Sequence, residues 1–175
     1  VSTATDFDVV ALHVALDHRR RAEELSWPGV ARALWAQSAV LNERRGDHPI
    51  SAATVTSMLR RGDTTCQHAL FMLRWLDRAP EDFIADPVAG TRAPLPAADA
   101  AHRPRWNLER LYAALDAART RREATWKQAA AHLDCTPSQL TGLRRARFAI
   151  GMRLAMRICQ SLKRPATTFI DVASW

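Results

Sequence analysis

Cysteine is scarce in this chain: Cys66, Cys135 and Cys159 are the whole complement. Three scattered thiols, odd in number, exclude a disulfide framework and read as reduced. Cys66-Gln-His68 and His132-x-x-Cys135 have the spacing of ligand pairs, but zinc needs four ligands and no matched second pair accompanies either, so no metal site is expected. Glycine is also rare, 6 in 175 residues, and no Gly-rich phosphate loop is present. The histidines and carboxylates form no recognisable catalytic set, so neither an enzymatic activity nor a cofactor is expected. Nothing approaches the roughly eighteen apolar residues of a membrane span. The stretch VSTATDFDVV carries acidic side chains where a secretory signal carries basic ones. The expectation is a cytoplasmic protein with no membrane partner.

Acidic residues run short in one half only. Residues 1–100 hold 11 Lys and Arg against 13 Asp and Glu, whereas residues 101–175 hold 14 against 5, so the C-terminal half accounts for the whole net charge of +7. An excess of that kind favours a polyanion, most often nucleic acid or an anionic membrane surface, although a solvated basic face has the same composition.

What the chain does have is internal likeness. Leu12-x-x-x-Leu16-Asp17 matches Leu111-x-x-x-Leu115-Asp116, Ser26-Trp27 matches Thr125-Trp126, and WLDRAPEDFI (75–84) parallels SLKRPATTFI (161–170). Matched order and spacing indicate a tandem pair of related units. Between them, residues 85–105 are rich in Pro and Ala without apolar periodicity, which reads as a linker. The expected division is therefore an N-terminal unit over 1–84, the linker over 85–105, and a basic C-terminal unit over 106–175.

Each unit reads as about five short helices. In the second, Asn107 caps a helix carrying Leu111, Leu115 and Ala118, with Trp106 and Leu111 placed as a hydrophobic staple. Thr125-Trp-Lys-Gln128 is a capping box opening a second helix, and Thr136-Pro-Ser-Gln139 opens a third over 136–145. A fourth carries Leu154, Ile158 and Leu162, and a fifth begins near Pro165 and buries Phe169. No alternating strand pattern is evident, so an all-α fold is expected. The second and third helices are too close in sequence to do anything but turn sharply, which is helix-turn-helix geometry.

At about 100° per residue, Leu140 and Leu143 fall on the core face of the third helix. Ser138, Thr141, Gly142 and Arg145 face out, with Gln139 and Arg144 on the flanks. Setting Ser51 against Thr136 places Val55 and Met58 in the core of the first unit and turns out Ala53, Thr56, Ser57 and Arg60. Thr56 then matches Thr141, and Arg60 matches Arg145. An outward Arg can bond guanine O6 and N7 bidentately, and Thr can meet a base edge or a thymine methyl. Gln139 is either an adenine reader or the partner in its capping box, and the second is favoured. Lys127 and Gln128, at a helix N-terminus, are candidates for phosphate, as are Arg61, Arg144, Arg147 and Arg153. Arg119, Arg121 and Arg122 close a helix, where they complement its dipole. Trp27 and Trp126 read as anchors of the second helices on the core. The first unit differs by an insertion over 35–48, in which WAQSAVLN is expected to lengthen the second helix.

The stretch TWKQAAAHLDCTPSQLTGLRR, with the following helix and the Pro-x-x-x-Phe close, resembles the lambda-repressor/Cro-like (XRE-type) DNA-binding domains. The likeness covers 107–170 well and 7–84 less closely. It implies a five-helix fold whose third helix enters the major groove and whose base-contacting positions fall on Pro137, Ser138, Thr141, Gly142 and Arg145. Asp134 stands where the turn of such domains has Gly, and Asp tolerates the left-handed conformation required. The expectation is thus a nucleoid-associated, sequence-specific binder of double-stranded DNA, a repressor, inserting helices 136–145 and 51–60 either as a monomer on an asymmetric site or as a homodimer. The alternative is an antitoxin-like protein-interaction module that uses the same scaffold for docking.

Overall fold

The computed structural model describes residues 6–145 and 150–175. It is mainly helical, with one small sheet. In the N-terminal half, the Asp8 carboxylate accepts the Ala11 N–H at 2.8 Å and opens α1 (Val9–Ala22), which buries Leu12 and Leu16. Ser26 Oγ accepts the Gly29 N–H at 3.1 Å and opens α2 (Trp27–Ala36). Then come α3 (Ala39–Arg44), α4 (Ala52–Thr56), α5 (Met58–Arg61), α6 (Cys66–Leu76) and a 3-10 turn over Pro80–Phe83. The C-terminal half comprises β1 (Arg103–Trp106), α7 (Leu108–Arg121), α8 (Trp126–His132), α9 (Pro137–Gly142), α10 (Met152–Ser161), a 3-10 turn over Ala166–Phe169 and β2 (Ile170–Ala173).

Several contacts of one half recur in the other. Asp8 N–H donates to Phe83 O and Asn107 N–H donates to Phe169 O, both at 2.7 Å. Arg20 bonds Asp17 and Leu25 O and lies over Trp27; Arg119 bonds Asp116 and Ala124 O and lies over Trp126. Glu24 and Glu123 both take positive φ, 54° and 52°, at the turn after the first helix. The matched Leu and Trp positions of the sequence therefore correspond to matched packing.

The halves share one apolar core. Leu12, Leu16, Leu70 and Leu73 belong to the same buried cluster as Leu111, Leu140, Met156 and Ile158. At its centre, Thr65 and Gly151 form an antiparallel bridge. Cys66 N–H donates to Ile150 O at 2.8 Å and Met152 N–H donates to Thr64 O at 2.7 Å. Thr65 and Gly151 are the N-caps of α6 and α10, so equivalent residues bond reciprocally and the two segments are related by a local two-fold. Gly151 is glycine for a steric reason: a Cβ there would lie 2.0 Å from Asp63 Oδ2. Asp63 Oδ1 accepts the Arg153 N–H at 3.2 Å, capping α10 in place of the missing side chain.

Each half also sends the segment before its first helix onto the other half, onto α10 in one case and α6 in the other. Asp6 forms ion pairs with Arg153, at 2.5 Å, and with Arg157 of α10. The Arg157 hydrogen bond, reinforced by Arg153, holds its carboxyl down to about 2. On the opposite side, β1 lies on α6, where Gln67 Nε2 donates to Pro104 O at 2.9 Å and Trp106 Nε1 donates to Cys66 O at 3.0 Å.

Four features differ from the sequence reading. β1 pairs with β2 antiparallel, Arg103 opposite Ala173 and Trp106 opposite Ile170, so a strand begins inside the segment read as linker. All four β1 residues are buried, and a strand covered on both faces shows no alternation. The segment read as a fifth helix near Pro165 is a single 3-10 turn that feeds β2. Residues 35–48 do not lengthen the second helix: α2 stops at Ala36 and α3 starts afresh, fixed by Leu41 N–H to Ala100 O at 3.1 Å. Finally, the Pro/Ala-rich stretch is strapped down. Arg74 Nη2 donates to Gln37 O, Ala98 O and Asp99 O, while Gln160 Oε1 accepts the Val88 N–H at 2.6 Å and its Nε2 donates to Thr91 Oγ1 at 3.0 Å. Arg74 and Gln160 occupy equivalent places on α6 and α10.

No helix among the described residues is long and apolar enough to cross a membrane.

Candidate nucleic-acid interface

The third-helix face is built from local signals. Thr125 Oγ1 accepts the Gln128 N–H at 3.2 Å and Gln128 Oε1 accepts the Thr125 N–H at 2.8 Å, closing a capping box on α8. Asp134 makes the turn with φ of 50°, in the left-handed region that Asp tolerates. A second capping box then opens α9: Thr136 Oγ1 accepts the Gln139 N–H at 3.3 Å, and Gln139 Oε1 accepts the Thr136 N–H at 2.8 Å. Such a cap is worth about 1 kcal/mol. The side-chain oxygens of Gln139 and Gln128 are thereby held by their own backbone, the role favoured from sequence for Gln139, while the Nε2 of Gln128 is the donor its expected phosphate contact would use.

Leu133, Leu140 and Leu143 are fully or almost fully buried and fix which side of α9 faces out. Pro137, Ser138, Gln139, Thr141, Gly142, Arg144 and Arg145 are all exposed. The helix is shorter than expected, ending at Gly142, and residues 143–145 continue as a turn in which Arg145 N–H donates to Gly142 O at 2.9 Å. Thr141 Oγ1 donates back to Pro137 O at 3.2 Å, which leaves its lone pairs free to accept. A Cβ at Gly142 would meet nothing within 4 Å, so packing within the chain does not require glycine there.

The N-terminal half presents a similar face with a different build. Val55 and Met58 are buried, and Ala53, Thr56, Arg60 and Arg61 are exposed, with Ser57 half-buried. Thr56 Oγ1 donates to Ala52 O at 3.2 Å, the counterpart of the Thr141 bond. The expected helix over 51–60 is divided at Ser57 into α4 and α5. Ser51 makes no cap bond; its Oγ lies 3.3 Å from Thr54 Oγ1 instead.

Both faces lead into the same seam. Arg60 lies a few residues before Thr65 and Arg145 a few before Gly151, the two residues that bridge to one another.

Of the residues read as phosphate partners, Lys127, Arg61 and Arg144 are exposed. Arg153 is not available in the same way, because it is paired with Asp6 at the junction of the halves. Arg147 lies outside the described residues. Arg119 is committed to Asp116, Ala124 O and the Trp126 ring, which is the structural role its position suggested. Trp126 stacks on Tyr112 with centroids 5.5 Å apart, and Trp27 meets His13 at a tilt with centroids 5.0 Å apart, so both anchor their helices from within.

Sequence reasoning missed Arg45 and Arg105. One lay in the insertion and the other in the supposed linker, and only the fold brings them beside Arg144 and Arg145 on the wall of one groove. Comparison of the chain with protein-family models, curated proteins and solved structures found no match.

Proposed function

We propose that the chain is a sequence-specific regulator that binds double-stranded DNA, a repressor, built as two tandem helix-turn-helix units of the XRE type. The observation that carries this reading is the recurrence of an exposed Thr/Arg pair, Thr141/Arg145 and Thr56/Arg60, at matching places in the two halves. In this reading Arg145 and Arg60 read guanines, Thr141 and Thr56 meet neighbouring base edges, and Lys127, Arg61 and Arg144 hold the phosphate backbone. No catalytic step and no cofactor enter the mechanism.

Two faces in one chain fit a monomer on a site whose halves differ, since the two helices differ in sequence. The N-terminal helix is also the less strongly capped. The test is selection of bound sequences from a random duplex pool, followed by binding isotherms for two variants. Arg145→Ala should lose about 1–3 kcal/mol and relax preference at one base pair, whereas Lys127→Ala should weaken all duplexes alike and lower the salt slope by about one. Absence of any sequence preference, or equal behaviour of both variants and the wild type, overturns the assignment.

A further inference from the structure

A side chain that fills space in the N-terminal half has no equivalent in the C-terminal half. Three pairs of N-caps set the correspondence: Asp8 with Asn107, Ser26 with Thr125, and Thr65 with Gly151. Trp75 of α6 then corresponds to Ser161 of α10, while Arg19, Leu25 and Val30 correspond to Ala118, Ala124 and Ala129. At all four positions the C-terminal half carries the smaller side chain. In the N-terminal half Trp75 is buried, and the Arg19 guanidinium lies over its ring, 4.4 Å from the centroid, where Glu23 pairs with it at 2.6 Å. In the C-terminal half Ser161 and the three alanines border a cavity of about 230 Å³, lined also by buried Leu115 and Leu133. Gln128 and His132, larger than the matching Gly29 and Ala33, are exposed and stand at its rim. A cavity of about 150 Å³ takes a benzene ring, so this one has room for a bicyclic ring.

The charge at the rim also differs. Glu23 corresponds to Arg122, which reverses the sign. The cavity opens into a second cleft of about 410 Å³, and Arg122, His132, Leu133 and Ser161 border both. Arg119 is bonded to Asp116, and Arg157 is paired with Asp6 and with Asp134, the carboxylate on this wall. Arg122 and Lys163 stand exposed beside the opening.

We propose that this slot binds a planar aromatic carboxylic acid of indole size, with the ring in the place that Trp75 fills in the other half and the carboxylate on Arg122 and Lys163. An apolar slot with a few polar groups at one end is the usual build of a small-molecule site, and a guanidinium suits a carboxylate because it bonds it bidentately. The site does not depend on the DNA-binding reading. The N-terminal half has no second site of this kind, because its own indole occupies the space.

Calorimetric titration of the full chain with indole-3-acetate, indole and acetate tests the site directly. Indole-3-acetate should bind saturably and at least tenfold more tightly than either fragment. Ser161→Trp, which puts the indole of the N-terminal half into the slot, should abolish binding and raise the melting temperature. Arg122→Gln, at an exposed position, should weaken indole-3-acetate at least fivefold and leave indole within twofold, with unchanged circular dichroism. Absence of saturable binding, equal affinity for indole-3-acetate and either fragment, or Arg122→Gln binding as the wild type does overturns the proposal. So does a folded Ser161→Trp variant that still binds. Should that variant fail to fold, Ala129→Val, which takes the residue of the other half, should weaken indole-3-acetate at least threefold, and wild-type affinity there overturns the slot. An equal loss of indole and indole-3-acetate in Arg122→Gln overturns the placement of the carboxylate.

Discussion

The two third-helix faces end in the same place and are made differently. In the C-terminal half, α8, a one-residue left-handed turn and α9 follow one another directly, and two capping boxes fix the register. In the N-terminal half the corresponding helices are separated by α3 and an extended stretch, and α4 opens without a side-chain cap bond. The inserted piece is not slack chain. Asn42 Oδ1 accepts from Arg103 Nη2 at 2.6 Å, and Ser38 Oγ donates to His102 O at 2.8 Å, so it buttresses the strand that begins the other half. One half keeps the motif in its shortest form, while the other has given up local capping and gained a contact across the molecule.

The sharpest way to break the comparison is at the seam, where equivalent residues meet but only one is glycine. Gly151→Ala forces Asp63 off the N-terminus of α10, with loss of its hydrogen bonds and strain in the bridge, and should cost about 3 kcal/mol in urea unfolding. A cost below about 1 kcal/mol would mean that Asp63 moves freely. The next probe is Asp6, whose place before the first helix corresponds to Arg105 in the other half. Because its folded carboxyl is held down to about 2, its contribution is complete above about pH 4 and is lost as pH falls toward 2. Asp6→Asn should therefore destabilise by about 2 kcal/mol at pH 7, and the difference from wild type should close as the pH is lowered through that window. A penalty independent of pH would assign Asp6 a packing role instead. The smallest effect tests the caps themselves: Thr136→Ala should cost about 1 kcal/mol. The matched change Ser51→Ala should cost a few tenths at most, since Ser51 holds no backbone N–H. Equal costs would show that the cap geometry of the two faces is alike in solution.

The parts legible in the sequence were those fixed by neighbours along the chain. Asn107, Thr125 and Thr136 cap the helices they were expected to cap, Asp134 makes the turn, and Leu140, Leu143, Val55 and Met58 point inward. What escaped depends on partners far away in the chain. Arg-Pro-Arg-Trp carries no strand signature because its pairing partner is Ile170–Ala173 and its other contacts are Gln67 and Asp47. The Pro/Ala-rich stretch reads as a tether because its composition is that of one; its anchors, Arg74 and Gln160, sit on helices in either half. Glu81 is similar. It is an unremarkable acidic residue in the sequence, yet it is fully enclosed, and its Oε1 accepts the Ala166 N–H of the opposite half at 2.8 Å. The groove of Arg45, Arg105 and Arg145 has no counterpart in any single stretch of sequence for the same reason.

The reciprocal bridge between Thr64–Cys66 and Ile150–Met152 joins two equivalent surfaces that belong to one polypeptide. Two separate chains meeting through such a surface would come apart on dilution, and their stability would depend on protomer concentration. Here the encounter is unimolecular, so dilution leaves this junction as it is. Both faces therefore belong to one chain at any dilution, and under the proposed function occupancy of a site that uses both would rise with the first power of chain concentration rather than the second.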